Sequence, residues 1–335
     1  MLARRSAPAR TTRPLILLYN YNSAWGQWPD LTGAVDRECE FTTDRRRLPE
    51  ARAVVFHLPT LTGIERVAKY PGQLWVAWGM ESVVTCPRLG DPAFMRHFEI
   101  EMTYRRDADV WTPYLNPNVS AALLRPPRPK TAAAPAVYLQ SSRFNASGRV
   151  QYVAELMKRM KVHSYGAVLH NRDWPTADTG RDAKLELIAG YKYTLAFENS
   201  IARDYVTEKL YDPLIAGSVP VYLGAPNAAD LAPADPCFID AAGFDGPAAL
   251  AAHLNILAED DLAYERYLAW KTRGPDARFL RLVETLERGP FDRLSSIVGE
   301  RARDAAPRGR PSRPLSRPWR LSLAQMAAKI GRLVR

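Results

Sequence analysis

The stretch Phe197-Glu198-Asn199-Ser200-Ile201-Ala202-Arg203-Asp204-Tyr205-Val206-Thr207-Glu208-Lys209-Leu210 concentrates residue types that handle a charged, hydroxyl-rich ligand. Thr207 is placed to cap a helix beginning at Glu208. Tyr205, Glu208 and Lys209, spaced i, i+3 and i+4, can share one face of that helix start. A helix N-terminus offers unpaired N–H groups and positive potential, which suits a phosphate. Lys209 adds a point charge, Glu208 can accept from sugar hydroxyls, and Tyr205 can stack and donate. Together they suit a nucleotide-sugar. A capped surface helix with an adjacent charge pair explains the same spacing, so spacing alone leaves both readings open.

The surrounding pattern says what must position these residues. Val137–Gln140, Val162–Tyr165, Tyr193–Phe197 and Val219–Leu223 read as strands. Helical patterns lie between them at 147–160, 184–189 and 208–216, the last closed by Gly217. This alternation predicts a doubly wound α/β domain, whose ligand sits outside the carboxyl ends of the strands. In the first half, Pro14–Tyr19, Ala53–Phe56 and Leu74–Trp78 read as buried strands with poorly marked helices between them. Residues 125–135 are proline-rich and mark a boundary. The expected division is 1–13 as a basic leader, 14–130 and 131–300 as two domains, and 301–335 as a basic tail.

Several segments together resemble the α1,3-fucosyltransferases, glycosyltransferase family 10. The run Phe-Glu-Asn-Ser-x-x-x-Asp-Tyr-Val-Thr-Glu-Lys-Leu followed by Pro213–Gly224 is close to that family's signature. Trp75–Ser82 resembles its Trp…Glu-Ser-Pro segment, with Val83 where proline is common. Met102–Asp109 resembles its Tyr-Arg-Arg-Asp-Ser-Asp motif, and Tyr264-x-x-Tyr267-x-x-Trp270-Lys271 resembles the helix that ends the catalytic region. The resemblance implies a GT-B architecture, with two Rossmann-like domains, a cleft between them and GDP-fucose bound by the second. It implies Glu81 as general base and Arg149 as a diphosphate-binding cation. It also implies Lys192, Asn199, Tyr205, Glu208 and Lys209 as donor-contacting residues. The acceptor would be an oligosaccharide or other glycoconjugate carrying N-acetylglucosamine or glucose.

These parts suit an inverting transfer. An acceptor hydroxyl is a poor nucleophile near neutral pH, so a carboxylate must take its proton during attack. The diphosphate leaving group needs fixed cations and N–H donors. Asp107-Ala108-Asp109 has the form of a DxD metal motif, but Arg105 and Arg106 precede it and can balance the charge. The expectation is therefore no metal site and no required cofactor beyond the GDP-fucose donor, with a divalent cation at most stimulatory. His57, His97, His163, His170 and His253 have no ligand spacing. Trp25, Trp28, Trp75 and Trp78 can line an acceptor groove, although the core is the expected place for Trp75 and Trp78.

The formal charge is +10 over 335 residues. Residues 301–335 contribute +9 and residues 1–13 contribute +4, which leaves −3 for the body of the chain. Three dispersed cysteines, Cys39, Cys86 and Cys237, and no apolar run of spanning length point to a cytoplasmic protein. Trp319, Leu323, Met326, Ile330, Leu333 and Val334 fall on one face of a basic helix. The expected partner of that helix is an anionic membrane surface, hence a peripheral location on the inner face. A helix packed on its own domain, or a solvated tail, fits the same residues. No nucleic-acid motif accompanies the charge. Two alternatives to fucosyl transfer remain at this level: transfer from another GDP-sugar, and an inactive, membrane-associated glycan-binding protein.

Overall fold

The computed structural model describes residues 13–21, 37–176 and 180–303. Its strands form two sheets, and every described strand pair is parallel. The first sheet contains β1 (Leu15–Leu18), β2 (Glu40–Thr42), β3 (Ala53–His57), β4 (Leu74–Gly79), β5 (Ile100–Thr103) and β6 (Val110–Trp111), ordered β2-β1-β3-β4-β5-β6. The second contains β7 (Ala136–Tyr138), β8 (Val162–Ser164), β9 (Tyr193–Phe197), β10 (Val219–Leu223) and β11 (Ile239–Asp240), ordered β11-β10-β9-β7-β8. In each sheet the order reverses once, between β1 and β3 and between β7 and β9. Such a reversal opens a crevice at the carboxyl ends.

Short helices α1 (Pro92–Met95) and α2 (Val119–Leu123) follow the first sheet's later strands. The second sheet alternates with α3 (Arg149–Met157), α4 (Arg181–Ala189) and α5 (Glu208–Ala216). The chain then continues through α6 (Gly246–Glu259), α7 (Asp261–Arg266), α8 (Trp270–Arg273), α9 (Ala277–Glu284) and α10 (Pro290–Arg303). Every residue of β3, β9 and β10 is buried, as expected of strands covered on both faces. Side chains alternate between two cores: Leu17, Val54 and Phe56 join one, while Ile16, Leu18 and Val55 join the other.

The predicted strands and helices recur with small shifts at their ends. The helix expected at 147–160 starts at Arg149, because Gly148 takes a left-handed conformation (φ 75°) ahead of it. Gly217 ends α5 with φ 76°, and a Cβ there would meet Pro127 Cα at 2.8 Å. Strands β2, β5, β6 and β11 were not expected; they have two to four residues, too few to show a period. The assignment of 131–300 as one unit also needs correction. Helix α10 packs on the first sheet, with Phe291, Leu294 and Val298 in one cluster with Ile16, Val55 and Trp78. Trp78 and Phe291 meet edge to face at 5.7 Å. The apolar stripe of α10 is thus buried by sheet residues such as Ile16, Val55 and Trp78, far upstream in the sequence. Residues 1–12 of the basic leader and the tail beyond residue 303, with its expected membrane helix, lie outside the described residues. Among the described residues, no helix is long and apolar enough to cross a membrane.

Buried Lys271 and half-buried Lys130 secure the far end of α5. Lys271 donates to the carbonyls of Leu123 (2.5 Å) and Leu214 (2.7 Å), and Lys130 to those of Ala189 (2.9 Å) and Gly217 (2.6 Å). Ammonium groups at helix C-termini meet the negative end of the dipole, although burial pulls both pKa values down to about 8.

Truncating Phe291 to alanine should cost about 3–5 kcal/mol of stability, read as a lower midpoint in urea unfolding with an unaltered slope. His57, at the end of β3, gives a pH signature. Burial pushes its imidazole down to about 4 from 6.5. Between these values the unfolded chain binds the extra proton, so stability falls as pH drops from 6.5 toward 4. His57→Gln should flatten that limb of the stability–pH curve.

Candidate active site

Strand β9 ends at Phe197, and the next residue, Glu198, has no exposed surface. Its Oε1 accepts from the Thr207 N–H and Oγ1, each at 2.9 Å, and its Oε2 lies 3.2 Å from Lys209 Nζ. Burial pushes this carboxyl up, against the pull of Lys209 and the Thr207 hydrogen bonds. Gly224 permits the packing, since a Cβ there would sit 2.6 Å from Glu198 Cγ. Thr207 caps α5 by accepting from the Lys209 N–H at 3.3 Å. On the other side, the Ser147 N–H donates to the Asn199 carbonyl (3.1 Å) and Ser147 Oγ to the Glu198 carbonyl (2.6 Å). The N-termini of α3 and α5 therefore converge on the carboxyl end of β9, where two helix dipoles place positive potential.

The first sheet brings Glu81 to the same place. It follows β4 and is half-buried, and the Tyr205 hydroxyl lies 3.4 Å from its Oε2. Among the described residues no lysine or arginine forms a salt bridge with Glu81, so its carboxylate keeps acceptor capacity for an incoming hydroxyl. Tyr205 meets Tyr104 and Tyr114 edge to face, at 5.2 and 5.9 Å. The Tyr114 hydroxyl donates to the Met80 carbonyl at 3.0 Å, beside Glu81. Burial raises the Tyr205 and Tyr114 hydroxyls well above their ordinary range, so both remain neutral donors. Other bonds join the two sheets here. Ser82 Oγ and Ser200 Oγ are 2.6 Å apart, and the Arg106 N–H lies 3.3 Å from Asp204 Oδ2. Asp204 has a left-handed backbone (φ 64°) that aspartate tolerates. Asn227 steadies it by accepting from its N–H at 2.9 Å and donating to its Oδ1 at 2.8 Å.

Glu81, Arg149, Asn199, Tyr205, Glu208 and Lys209 thus gather around the end of β9, but several act differently from the sequence expectation. Tyr205 is buried between two other tyrosines and presents an edge-held ring, not a stacking platform. Lys209 is not a lone charge: it lies 3.1 Å from Glu208 Oε1 as well as near Glu198. Burial disfavours its ammonium, yet the two carboxylates outweigh burial and raise its pKa. Arg149 is buried at the start of α3, donating to the Phe197 (2.9 Å) and Phe144 (3.0 Å) carbonyls. Its Nε has no partner among the described residues. Lys192 does not join the cluster. It precedes β9, at the opposite end of that strand, where Asp261 Oδ1 takes its ammonium at 2.7 Å.

Glu198 and Asp204 went unassigned from sequence. The available signal was an acid directly after an apolar strand, nine residues before a helix-capping threonine. Asp107 pairs with Arg105 at 2.9 Å, while Asp109 accepts from the Glu101 N–H at 2.8 Å and lies 3.5 Å from Arg301. Among the described residues no three metal-binding side chains cluster. Trp75 and Trp78 are core residues, as expected; Trp25 and Trp28 lie outside the described residues.

Two parallel sheets with a carboxylate from one facing two helix starts of the other define a nucleotide-sugar transferase type of site. Residues 11–115 match the model of the fucosyltransferase N-terminal region, and residues 129–287 match that of the glycosyltransferase family 10 (fucosyltransferase) C-terminal region. The chain belongs to glycosyltransferase family 10, the fucosyltransferases. It is 33% identical over 251 residues to alpha-(1,3)-fucosyltransferase B of Drosophila melanogaster, covering 68% of this chain and 56% of that protein. It is 34% identical over 275 residues to GDP-fucose protein O-fucosyltransferase 3 of Canis lupus familiaris, covering 74% and 57%. The chain thus spans little more than half the length of these curated relatives. Its fold is similar to the crystal structure of an alpha1,3-fucosyltransferase, with a TM-score of 0.52 at 14% identity over 82% of this chain and 84% of that one.

Replacing Glu198 by alanine should cost about 3–5 kcal/mol, because it strips a buried ion pair of one partner. Glu208→Ala, at a partly exposed position, should cost less than about 1 kcal/mol. Denaturant unfolding of the two variants measures the difference.

Proposed function

We propose that this chain is an inverting glycosyltransferase of GT-B architecture that moves L-fucose from GDP-fucose to a hydroxyl of an N-acetylglucosamine- or glucose-containing glycan. What carries the reading is the position of Glu81, across a cleft from the joined starts of α3 and α5 in a family 10 chain. In this reading Glu81 takes the acceptor proton as the acceptor oxygen attacks the anomeric carbon of fucose. The bond from that carbon to the diphosphate oxygen breaks on the opposite face, and GDP leaves. The helix starts and the cations Arg149 and Lys209 stabilise the diphosphate. Asn199 and Glu208 are placed for the hydroxyls of the donor, and Tyr205 sets the position of Glu81. The site needs no metal for this chemistry. Residues 14–130 and 131–289 would form the two halves, with α10 returning to the first. The basic ends would hold the enzyme at the inner face of a membrane.

A second acceptor class, the side-chain hydroxyl of a protein, is favoured by the relatives named GDP-fucose protein O-fucosyltransferase 3. Incubation with GDP-fucose, other GDP-sugars and UDP-sugars, with glycans or hydroxyl-bearing peptides, separates these readings by nucleotide release and product mass. GDP-fucose should be the only donor turned over. Glu81→Gln should lower turnover about 100-fold or more while GDP binding measured by calorimetry stays within about threefold. Undiminished turnover removes Glu81 from the base role.

A further inference from the structure

Three residues on facing helices of the second sheet run against local preference. Asp212 is a carboxylate in the middle of α5 with 1% exposure, and Arg181 and Lys184 are cations at the start of α4, where the helix dipole disfavours them. Each anomaly answers the other. Arg181 Nη2 lies 2.8 Å from Asp212 Oδ1, and Lys184 Nζ lies 2.9 Å from Oδ2. Leu185 of α4 shares an apolar cluster with Leu210 and Leu214 of α5, which brings the two helices side by side. Both helices connect parallel strands, so both start at the carboxyl end of the sheet, on the side proposed for the donor.

One cation balances one carboxylate, and Asp212 has two. The excess charge points along α5. Glu208 lies four residues before Asp212, so the two carboxylates share one helix face, about 5–6 Å apart at Cβ. Like charges so placed repel, and Lys184 meets both. Burial disfavours the Glu208 carboxylate, but Lys209 and then Lys184 outweigh burial and hold its pKa below the ordinary value. The other titratable groups facing Glu208 are Glu198 after β9, Arg149 at the start of α3 and the Tyr114 hydroxyl. Arg149 is committed to the Phe197 and Phe144 carbonyls, and Lys209 is shared with Glu198. Lys184 is therefore the cation that answers Glu208 without also serving the anchor on β9.

We infer that Lys184 is a positioning residue for the donor, keeping the Glu208 carboxylate in place to accept from a donor hydroxyl while Asp212 fixes Lys184 itself. The inference rests on the donor role of Glu208 in the fucosyl-transfer reading. The competing account is an ion pair that only pins α4 to α5, and it leaves donor affinity unchanged.

The test uses the full chain with GDP-fucose and no acceptor, with affinity measured by calorimetry between neutral and mildly acidic pH. Steady-state turnover is measured alongside. Lys184→Met leaves Arg181 on Asp212, so the variant should fold; Lys184→Arg keeps the charge. Lys184→Met should weaken GDP-fucose binding about fivefold and raise its KM to match, with kcat within about twofold. Its loss of affinity on acidification should begin about half a pH unit higher than in the wild-type chain, because Glu208 takes up a proton more easily without Lys184. Lys184→Arg should restore both properties. In a Glu208→Gln background, Lys184→Met should have no further effect. Unchanged affinity in Lys184→Met, an equal loss with and without Glu208, or an unshifted pH dependence would each overturn the positioning role. If GDP-fucose does not bind the wild-type chain, the fucosyl-transfer reading fails instead. NMR titration of the isotope-labelled Glu208 carboxyl in the wild-type and Lys184→Met chains then still decides whether Lys184 holds it.

Discussion

The buried carboxylate of Glu198 is the constraint on which the site depends. A carboxylate without exposed surface is tolerated only with strong partners, and here the nearest come from the start of α5: the Thr207 amide, the Thr207 hydroxyl and the Lys209 ammonium, with the Tyr222 hydroxyl of β10 farther off at 3.5 Å. The anchor fixes the helix in rotation as well as position, because three groups on three sides of its first turn must reach one side chain. Tyr205, two residues before Thr207, is placed by the same anchor. Its hydroxyl then lies beside Glu81 on the other sheet. The carbonyls at the opposite end of α5 are held by Lys271 and Lys130, so the helix is pinned at both ends.

The contacts joining the two sheets at the cleft are of a different kind. Ser82 with Ser200, Arg106 with Asp204 and Tyr205 with Glu81 are single polar contacts at the rim of loops. A neutral hydrogen bond such as the serine pair contributes about 0.5–1.5 kcal/mol, and one to a carboxylate about 1.5–3 kcal/mol. Separate apolar clusters lie on either side, and a further cluster joins Trp111, Leu115, Val119 and Leu123 to Leu210 and Leu214 of α5 and Tyr222 of β10. The two sheets are thus joined by an apolar cluster against α5 as well as by the polar contacts beside Glu81. The strong tie between the ends of the chain, α10 on the first sheet, lies behind the cleft.

The second sheet was legible at its centre because β9 and β10 are apolar runs of five residues and α5 between them has a visible cap at Thr207, whereas β11, with two residues, shows no period. The first sheet was only half legible. Strand β6 has two residues, and the helix that covers one face of the sheet, α10, lies at the far end of the sequence. No local pattern announces a partner so distant. The site shows the same division. Type and spacing in 197–210 located the helix start, but not the pairing of Lys209 with two glutamates or the carbonyl contacts of Arg149. Those depend on burial, which spacing does not carry. Lys192 illustrates the converse: it adjoins the signature in sequence, and the length of one strand takes it to the other end of the sheet.

Charge placement explains why helix starts matter more here than cations. The overall +10 belongs to the ends of the chain. At the cleft, Glu81, Glu198 and Glu208 outnumber Arg149 and Lys209, and both cations are already engaged by carboxylates or carbonyls. The side chains there are close to balanced among themselves. The positive potential that is not already compensated comes from the aligned peptide dipoles of α3 and α5, whose N-termini are fastened to one strand end by Ser147 and Glu198. A backbone-derived field of this kind needs no side-chain reorganisation to act on an anionic group placed beside it.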